Sequence, residues 1–326
     1  MKKIQLTFIF MLSSLMSTIV LSAPPGYAVK QLFLKAGNGT NQTSIYANGL
    51  MQAKVNVYYE LAEGESLKKI ELKELYTESS IPDFTISNLQ DKRFSNDIVH
   101  SNTSTKTTSY TSKYLTTNKV ASQAVCAVLT TVSGHTSSTC QNNTNSAYVQ
   151  INAKEKITYT IRDWRLIEHE RLYPSFSQSG ESWVRQYAPP TGFIISYVDY
   201  NGATDYRVPK NARLVFASPT YNRDVTRDGQ STLYVYKPNT GITSNKIPYR
   251  FHNPHKMDTY TINKTFNTNQ ALTFITTYMY TKYGEYVYLN NLGGSTYYKS
   301  HIDIYDTYGN KTRVHLVRDK LQIKIQ

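Results

Sequence analysis

The chain has 326 residues, 28 of them tyrosine and only two cysteine, with a formal charge of +13. About 300 residues remain after the leader described next, which is more than one domain usually holds and predicts two. The basic residues are scattered, with no block longer than Asp91-Lys-Arg93 or Lys68-Lys69, so a cationic soluble surface is expected and nucleic acid is not an expected partner.

Residues 1–28 have the pattern of a cleavable export signal. Lys2 and Lys3 precede an apolar run from Ile4 to Leu21, broken by Gln5, Ser13, Ser14 and Ser17, and small residues follow. Cleavage after Ala28 is favoured over Ala23, because Pro24 and Pro25 follow the latter. The charge without Lys2 and Lys3 is +11. No cysteine lies near either site to carry a lipid, and the best later apolar run, Ala271 to Tyr280, is far short of the roughly 20 residues a membrane helix needs. A periplasmic or secreted protein is the expectation.

Tyrosine and threonine suit a pleated surface that is half wet, and runs of helical period are almost absent, so an all-β fold is predicted. Alternation predicts strands at Ala53–Tyr59, Leu67–Tyr76, Ala147–Ile151, Ile157–Ile161 and Phe193–Asp199. Further ones are Arg213–Ala217, Ser231–Tyr236, Ala271–Tyr280, Tyr286–Leu289, His301–Tyr305 and Thr312–Val317. Leu61-Ala-Glu-Gly-Glu-Ser66 and Asp306-Thr-Tyr-Gly-Asn310 read as turns. Trp164 to Arg171 is either a short helix or a strand.

Two echoes suggest an internal repeat. Ala47-Asn-Gly49 leads into a strand ending Val57-Tyr58, as Arg227-Asp-Gly229 leads into one ending Val235-Tyr236. Asp199-Tyr-Asn-Gly202 and Asp306-Thr-Tyr-Gly309 form the second pair. The pattern predicts two tandem antiparallel β-sandwich domains, 29–217 and 218–326, the first enlarged by an insert over 96–145. That insert is rich in Ser and Thr, which supply 11 of the 20 residues from Ser101 to Val120. It reads as a solvated surface excursion, or alternatively as a membrane-inserting hairpin of a β-pore-forming toxin.

Cys126 and Cys140 are expected to form one disulfide, as paired cysteines in an oxidising compartment do. His252-Asn-Pro-His255 with Asp258 is better read as a loop than as a metal site, and Asp303/Asp306 and Asp224/Asp228 lack a calcium-loop pattern. Glu168, His169, Glu170, Asp163 and Glu181 pair into acid and base only on paper, and no nucleophile motif is present. No catalytic residue, cofactor or metal is therefore expected. Trp164, Trp183, Tyr187 and the cluster Tyr278, Tyr280, Tyr283, Tyr286 and Tyr288 are either sheet packing or a stacking surface for sugars, with Trp164, Trp183, Tyr283 and Tyr286 as the candidates for ligand contact. Trp164 is expected to be the most buried of them.

The stretch Thr43-Ser-Ile-Tyr-Ala-Asn-Gly-Leu-Met-Gln-Ala-Lys-Val55 resembles secreted accessory proteins encoded beside bacterial multi-component α-helical cytolysins of the Mak type. The Asn/Asp-Gly turn with its Val-x-Val strand is also similar to bacterial immunoglobulin-like modules of adhesins. These resemblances imply immunoglobulin-like β-sandwiches and a non-enzymatic accessory, and carry over no site residues. The expected function is an exported binding protein with a protein partner. A glycan, or an anionic membrane surface, is the alternative partner.

Overall fold

A computed structural model describes residues 28–98, 109–142, 144, 146–172, 180–203, 211–222, 227–248, 250–251, 259–280, 287–288, 297–319 and 322–326. For 172, 180–181, 216–222, 227–231, 243–248, 250–251, 259–264, 278–280, 287–288, 297, 318–319 and 322–324 only the backbone is described. Residues 1–27 and 99–108, with His252, His255, Asp258, Asp224, Tyr283 and Tyr286, lie outside the described residues, as do the side chains of Glu181, Asp228, Tyr278, Tyr280 and Tyr288.

The described fold is nearly all-β. In order it runs through β1 (Val29–Ala36), β2 (Gln42–Tyr46), β3 (Ala53–Leu61), β4 (Leu67–Glu74), β5 (Thr85–Ser87), β6 (Tyr110–Thr116), β7 (Ala121–Thr131), β8 (Thr136–Ser138) and β9 (Val149–Lys154). Next come β10 (Thr158–Tyr159), a 3₁₀ turn (Ile161–Asp163), β11 (Arg165–Leu172), β12 (Gly180–Ala188), β13 (Ile195–Asp199), β14 (Ala212–Asn222) and β15 (Arg227–Tyr236). It closes with β16 (Ile242–Pro248), β17 (Arg250–Phe251), β18 (Thr259–Asn267), β19 (Leu272–Tyr280), β20 (Val287–Tyr288), β21 (Tyr297–Tyr298), β22 (His301–Asp306), β23 (Lys311–Asp319) and β24 (Gln322–Ile325). Trp164 to Arg171 is thus mostly strand β11.

The first sheet has the order β1-β3-β6-β5, and the second β2-β9-β7-β4 with β8 on β7. The third runs β10-β23-β22-β13 with β24 on β23, and the fourth β11-β12-β19-β15-β14-β21. Two pairs, β16-β18 and β17-β20, complete the described topology. Ladders are antiparallel apart from β2/β9 and β10/β23, which are parallel.

Alternation fixes which side chains go inward. Along β3, Ala53, Val55 and Val57 are fully buried, while Lys54 points to the other face. They join Leu34 and Leu115 of the first sheet and Ile45, Ile70, Val125, Leu129 and Ile151 of the second in one core. A further core gathers Val198, Ile302, Ile304, Val314 and Leu316 of the third sheet with Val215, Leu233, Val235, Leu272 and Phe274 of the fourth. Each such aliphatic side chain contributes about 1.5–3 kcal/mol when fully buried.

These cores bear on two expectations. The buried residues of the first core end at Ala153, with Tyr308 packed against it from far downstream, and residues from Tyr159 onward supply the second. Residue 217, by contrast, falls inside β14, which is paired to β15 from Ala212↔Tyr236 to Asn222↔Arg227. A limit at 217 would cut a strand whose two halves share one ladder. The Ser/Thr-rich stretch is also no surface excursion over its described length. It supplies β6 to the first sheet and β7 to the second, and its Leu115, Val125, Ala127 and Leu129 are core residues. Threonine and serine line the other positions of these strands, which disguised them.

The two echoes have different outcomes. Gly49 sits at φ +75° in a turn, whereas Gly229 is paired to Thr220 and Tyr280 within β15. Asp199–Gly202 and Asp306–Gly309 are both turns, each opened by an aspartate whose Oδ1 accepts from the N–H two residues on, Asn201 at 2.9 Å and Tyr308 at 2.8 Å.

The Asn48 turn and the Asp306–Asn310 turn pack against each other. Asn48 Nδ2 donates to Tyr308 O at 2.9 Å, Tyr46 meets Tyr308 edge-on at 5.9 Å, and Ile157 N donates to Asn310 Oδ1 at 3.1 Å. A β-carbon on Gly309 would stand 3.0 Å from that of Leu50, so the turn has no room for a larger residue. Asp306 is buried, and burial raises its carboxyl above the usual range. Hydrogen bonds from Asn310, Tyr308 and Gly309 partly offset that rise.

Candidate functional site

β13, β22 and β23 turn Val198, Ile302, Ile304, Val314 and Leu316 into the second core, so their intervening residues form the opposite face. Register arranges these residues in rows. Tyr197 lies opposite Tyr305, which lies opposite Lys311; Asp199 lies opposite Asp303, which lies opposite Arg313; His301 lies opposite His315. Directly opposed side chains in a sheet interact, which makes each row a unit.

The loop after β5 lays Asp91–Phe94 onto this face. Arg93 is forked onto Asp91 (Nε to Oδ1 2.9 Å, Nη2 to Oδ2 2.7 Å), and its guanidinium carbon stands 4.8 Å from the Tyr197 ring centre. Phe94 is buried edge-on to Tyr305 at 6.1 Å, and the Tyr197 and Tyr305 rings are 5.8 Å apart. The backbone holds the loop in place. Ser95 N donates to Thr307 O at 2.7 Å, Thr307 N to Ile194 O at 3.0 Å, and the Ser196 hydroxyl to Arg93 O.

The charges are paired in place. Arg313 grips Asp303 with two 2.7 Å bonds, and Lys311 stands 3.4 Å from the same carboxylate. Burial works against that charge, but Arg313 and Lys311 outweigh it and hold the Asp303 carboxyl below the usual range. The bond to Asp91 raises the Arg93 guanidinium, and correspondingly holds the Asp91 carboxyl low. Burial, with Asp303 and Asp199 nearby, raises the Tyr305 phenol. The result is a face of tyrosine and arginine flanked by lysine, and tyrosine and arginine are among the residue types on which protein interfaces concentrate their binding energy.

The residues singled out from sequence fare differently. Cys126 and Cys140 are disulfide-bonded, with Cα atoms 5.0 Å apart. They are buried with Leu75 against Tyr148, two residues beyond the Val128–Ser138 pair that begins the β7–β8 ladder. Trp164 is the buried tryptophan, with Nε1 donating to Thr312 Oγ1 at 3.2 Å and its ring edge-on to Phe193 at 5.2 Å. It is buried in the second core, as expected for the more buried tryptophan, and packing there leaves it little surface for a ligand. Tyr234 and Tyr236 are buried as well and Tyr200 is half-buried; burial raises all three phenols, Tyr234 to about 12.

Trp183 is half-buried on β12, with the His169 ring at 5.1 Å and Arg171 at 5.8 Å, while Tyr187 packs edge-on to Phe274 at 5.9 Å. Asp163 caps its own turn by accepting from Thr160 N at 2.6 Å. Glu168 and Glu170 lie opposite Gln186 and Val184 along one edge ladder. Among the described residues, no group of three or more His, Cys, Asp or Glu is placed to hold a metal, and no helix is long and apolar enough to cross a membrane.

The face built on Tyr197, Tyr305, Asp303 and Arg313 was not found from sequence. Alternation in Ile302-Asp-Ile-Tyr and Thr312-Arg-Val-His gives its strands and their polar side, but not the register that assembles the rows. The arrival of Arg93 from more than a hundred residues earlier leaves no local signal.

The chain matches no protein-family model and no curated protein. Among solved structures it is similar to the secreted serine protease VesC from Vibrio cholerae at 8% identity and a TM-score of 0.21, over 78% of this chain and 48% of that one. The chain thus spans about half the length of that protein.

Proposed function

We propose that this is an exported, non-enzymatic binding or accessory protein that engages a protein partner through the face of β13, β22 and β23. The observation that carries the reading is the Arg93–Tyr197–Tyr305 stack beside the Asp303–Arg313 pair. It is a prearranged set in which Arg93 and Arg313 are exposed and the Tyr197 and Tyr305 rings half-exposed, so little conformational entropy is lost on binding. The disulfide fits an oxidising compartment, consistent with export past a leader cleaved after Ala28.

In this reading the chain is two sandwich-like, immunoglobulin-like units meeting near residue 155, and the Asn48–Tyr308 junction holds them in one orientation. A role beside a secreted toxin system, as the resemblance at Thr43–Val55 implies, belongs to the same proposal. The pore-forming alternative is less well supported, because β6 and β7 lie in different sheets and bury Leu115, Val125 and Leu129. Releasing them as a hairpin would dismantle the first core. A glycan reading now rests on Trp183 alone among the described tryptophans.

The test is affinity capture from the producing cells' culture fluid with the mature protein and with the double variant Tyr197→Ala/Lys311→Glu. The wild type should retain a partner that the variant loses. Equal capture by both would place the interface elsewhere.

A further inference from the structure

We propose that His301 and His315 form a two-imidazole site for a divalent transition-metal ion such as Zn²⁺ or Ni²⁺. The two residues are directly opposed on β22 and β23, with ring centres 6.4 Å apart and planes inclined by 50°. A metal bonded to both rings at about 2.0–2.1 Å sets their centres between roughly 5 and 6.5 Å apart, depending on the angle at the metal. The rings therefore stand at the outer limit of that range, and small rotations of the side chains close the remainder.

The surroundings favour ligation. His301 is half-buried and His315 exposed, so an ion reaches them from solvent. Ser300 Oγ lies 3.0 Å from His301 Nδ1, which engages that nitrogen and leaves Nε2 to face the ion. Such an outer hydrogen bond is what fixes a ligating imidazole. The backbones of His315 and Gln326 exchange both hydrogen bonds, 2.8 and 2.9 Å, so Gln326 stands on the same face in the next position of the row. Its amide oxygen and water complete the shell. Asp303, the nearest acid on β22, is committed to Arg313 and takes no part. Imidazole donors select zinc, nickel and copper over calcium or magnesium.

The site lies on the same face as the proposed partner interface, in the row beyond Asp303 and Arg313, but metal binding does not rest on that reading. It also competes in plain view with His252 and His255, which the sequence places three positions apart. The experiment is calorimetric titration of chelator-stripped mature protein with ZnCl₂ and NiCl₂, using the wild type, His301→Ala, His315→Ala and the double variant His252→Ala/His255→Ala. The expected result is one ion per chain. Either single variant should weaken binding at least tenfold, since loss of even an outer-shell partner costs about 10–100-fold. The His252/His255 variant should bind as the wild type does. Both single variants are on an outer face, and unchanged circular dichroism confirms their fold. Absence of binding, binding unaffected by either single variant, or binding lost only in the His252/His255 variant overturns the proposal.

Discussion

Asn48 and Tyr308 are joined by a 2.9 Å hydrogen bond across 260 residues of chain, from the side-chain amide of one turn to the backbone carbonyl of another. The same asparagine accepts from Leu50 N and Met51 N through Oδ1, at 3.0 and 2.9 Å. One side chain thus shapes its own turn and docks it on the turn between β22 and β23. Asn48→Ala removes these three bonds and a longer one, 3.4 Å, from Nδ2 to Asn310 Oδ1. At about 0.5–1.5 kcal/mol net for each bond, a loss of about 2–3 kcal/mol is expected in urea unfolding. Proteolysis near residue 155 should also quicken as the junction loosens.

Gly309 and Gly64 separate backbone strain from crowding. Both have positive φ, +78° and +82°, but only Gly309 has neighbours where a β-carbon would stand. Gly64→Ala is expected to cost about 1 kcal/mol, the penalty for an L-residue in that region. Gly309→Ala should cost clearly more, because Leu50 and Asn48 must also give way. Thermal unfolding of the two variants side by side gives the comparison.

The disulfide closes a hairpin that the β7–β8 ladder already holds in register, so it is expected to reinforce the fold and not to create it. Cys126→Ala/Cys140→Ala should fold and lose about 2–3 kcal/mol, the entropy model's value for a loop near this length. Circular dichroism shows the folding and denaturant titration the loss. A variant that fails to fold would make the hairpin the nucleus of the first core.

The two tryptophans should report opposite environments. Trp164 is expected to emit at short wavelength and resist iodide quenching, and Trp183 to be quenched. Trp164→Phe leaves the buried Thr312 hydroxyl without its donor and opens space against Phe193, at about 2–4 kcal/mol. Trp183→Ala, at a half-exposed position, should cost less.

Acid should act on the two buried aspartates with opposite sign. The folded-state carboxyl of Asp303 lies below its unfolded value, so its contribution is present above the unfolded value and is lost as pH falls through the folded one. Asp306 is raised, so it favours the fold only below its unfolded value and loses that contribution as pH rises through the folded one. Below about pH 4, where carboxylates ordinarily titrate, stability of Asp303→Asn should therefore fall less steeply than that of the wild type. Urea midpoints between pH 7 and pH 3 measure this.

Much of the fold was legible because alternation is a local property. The stretches Ala53–Tyr59, His301–Tyr305 and Thr312–Val317 show period-two patterning, and they are strands. β6 and β7 were disguised by threonine and serine, which suit strands but also suit loops. The strand that runs through residue 217 was hidden for a different reason. The limit placed there relied on Arg227-Asp-Gly229 being a turn, whereas pairing on both sides draws Gly229 into β15. The cysteine pair was readable because only two cysteines exist. The Arg93–Tyr197 contact was not, since it depends on how the loop after β5 meets a strand a hundred residues on.

The central claim is that the β13–β22–β23 face binds a protein partner. Hydrogen exchange of the mature chain, alone and with the partner it captures, tests this most directly. The account predicts slowed exchange in peptides covering 91–95, 195–199 and 301–315, with residues 165–172 of the opposite sheet unchanged. Protection confined to β11 and Trp183, with none on the face of Tyr197 and Tyr305, would contradict it.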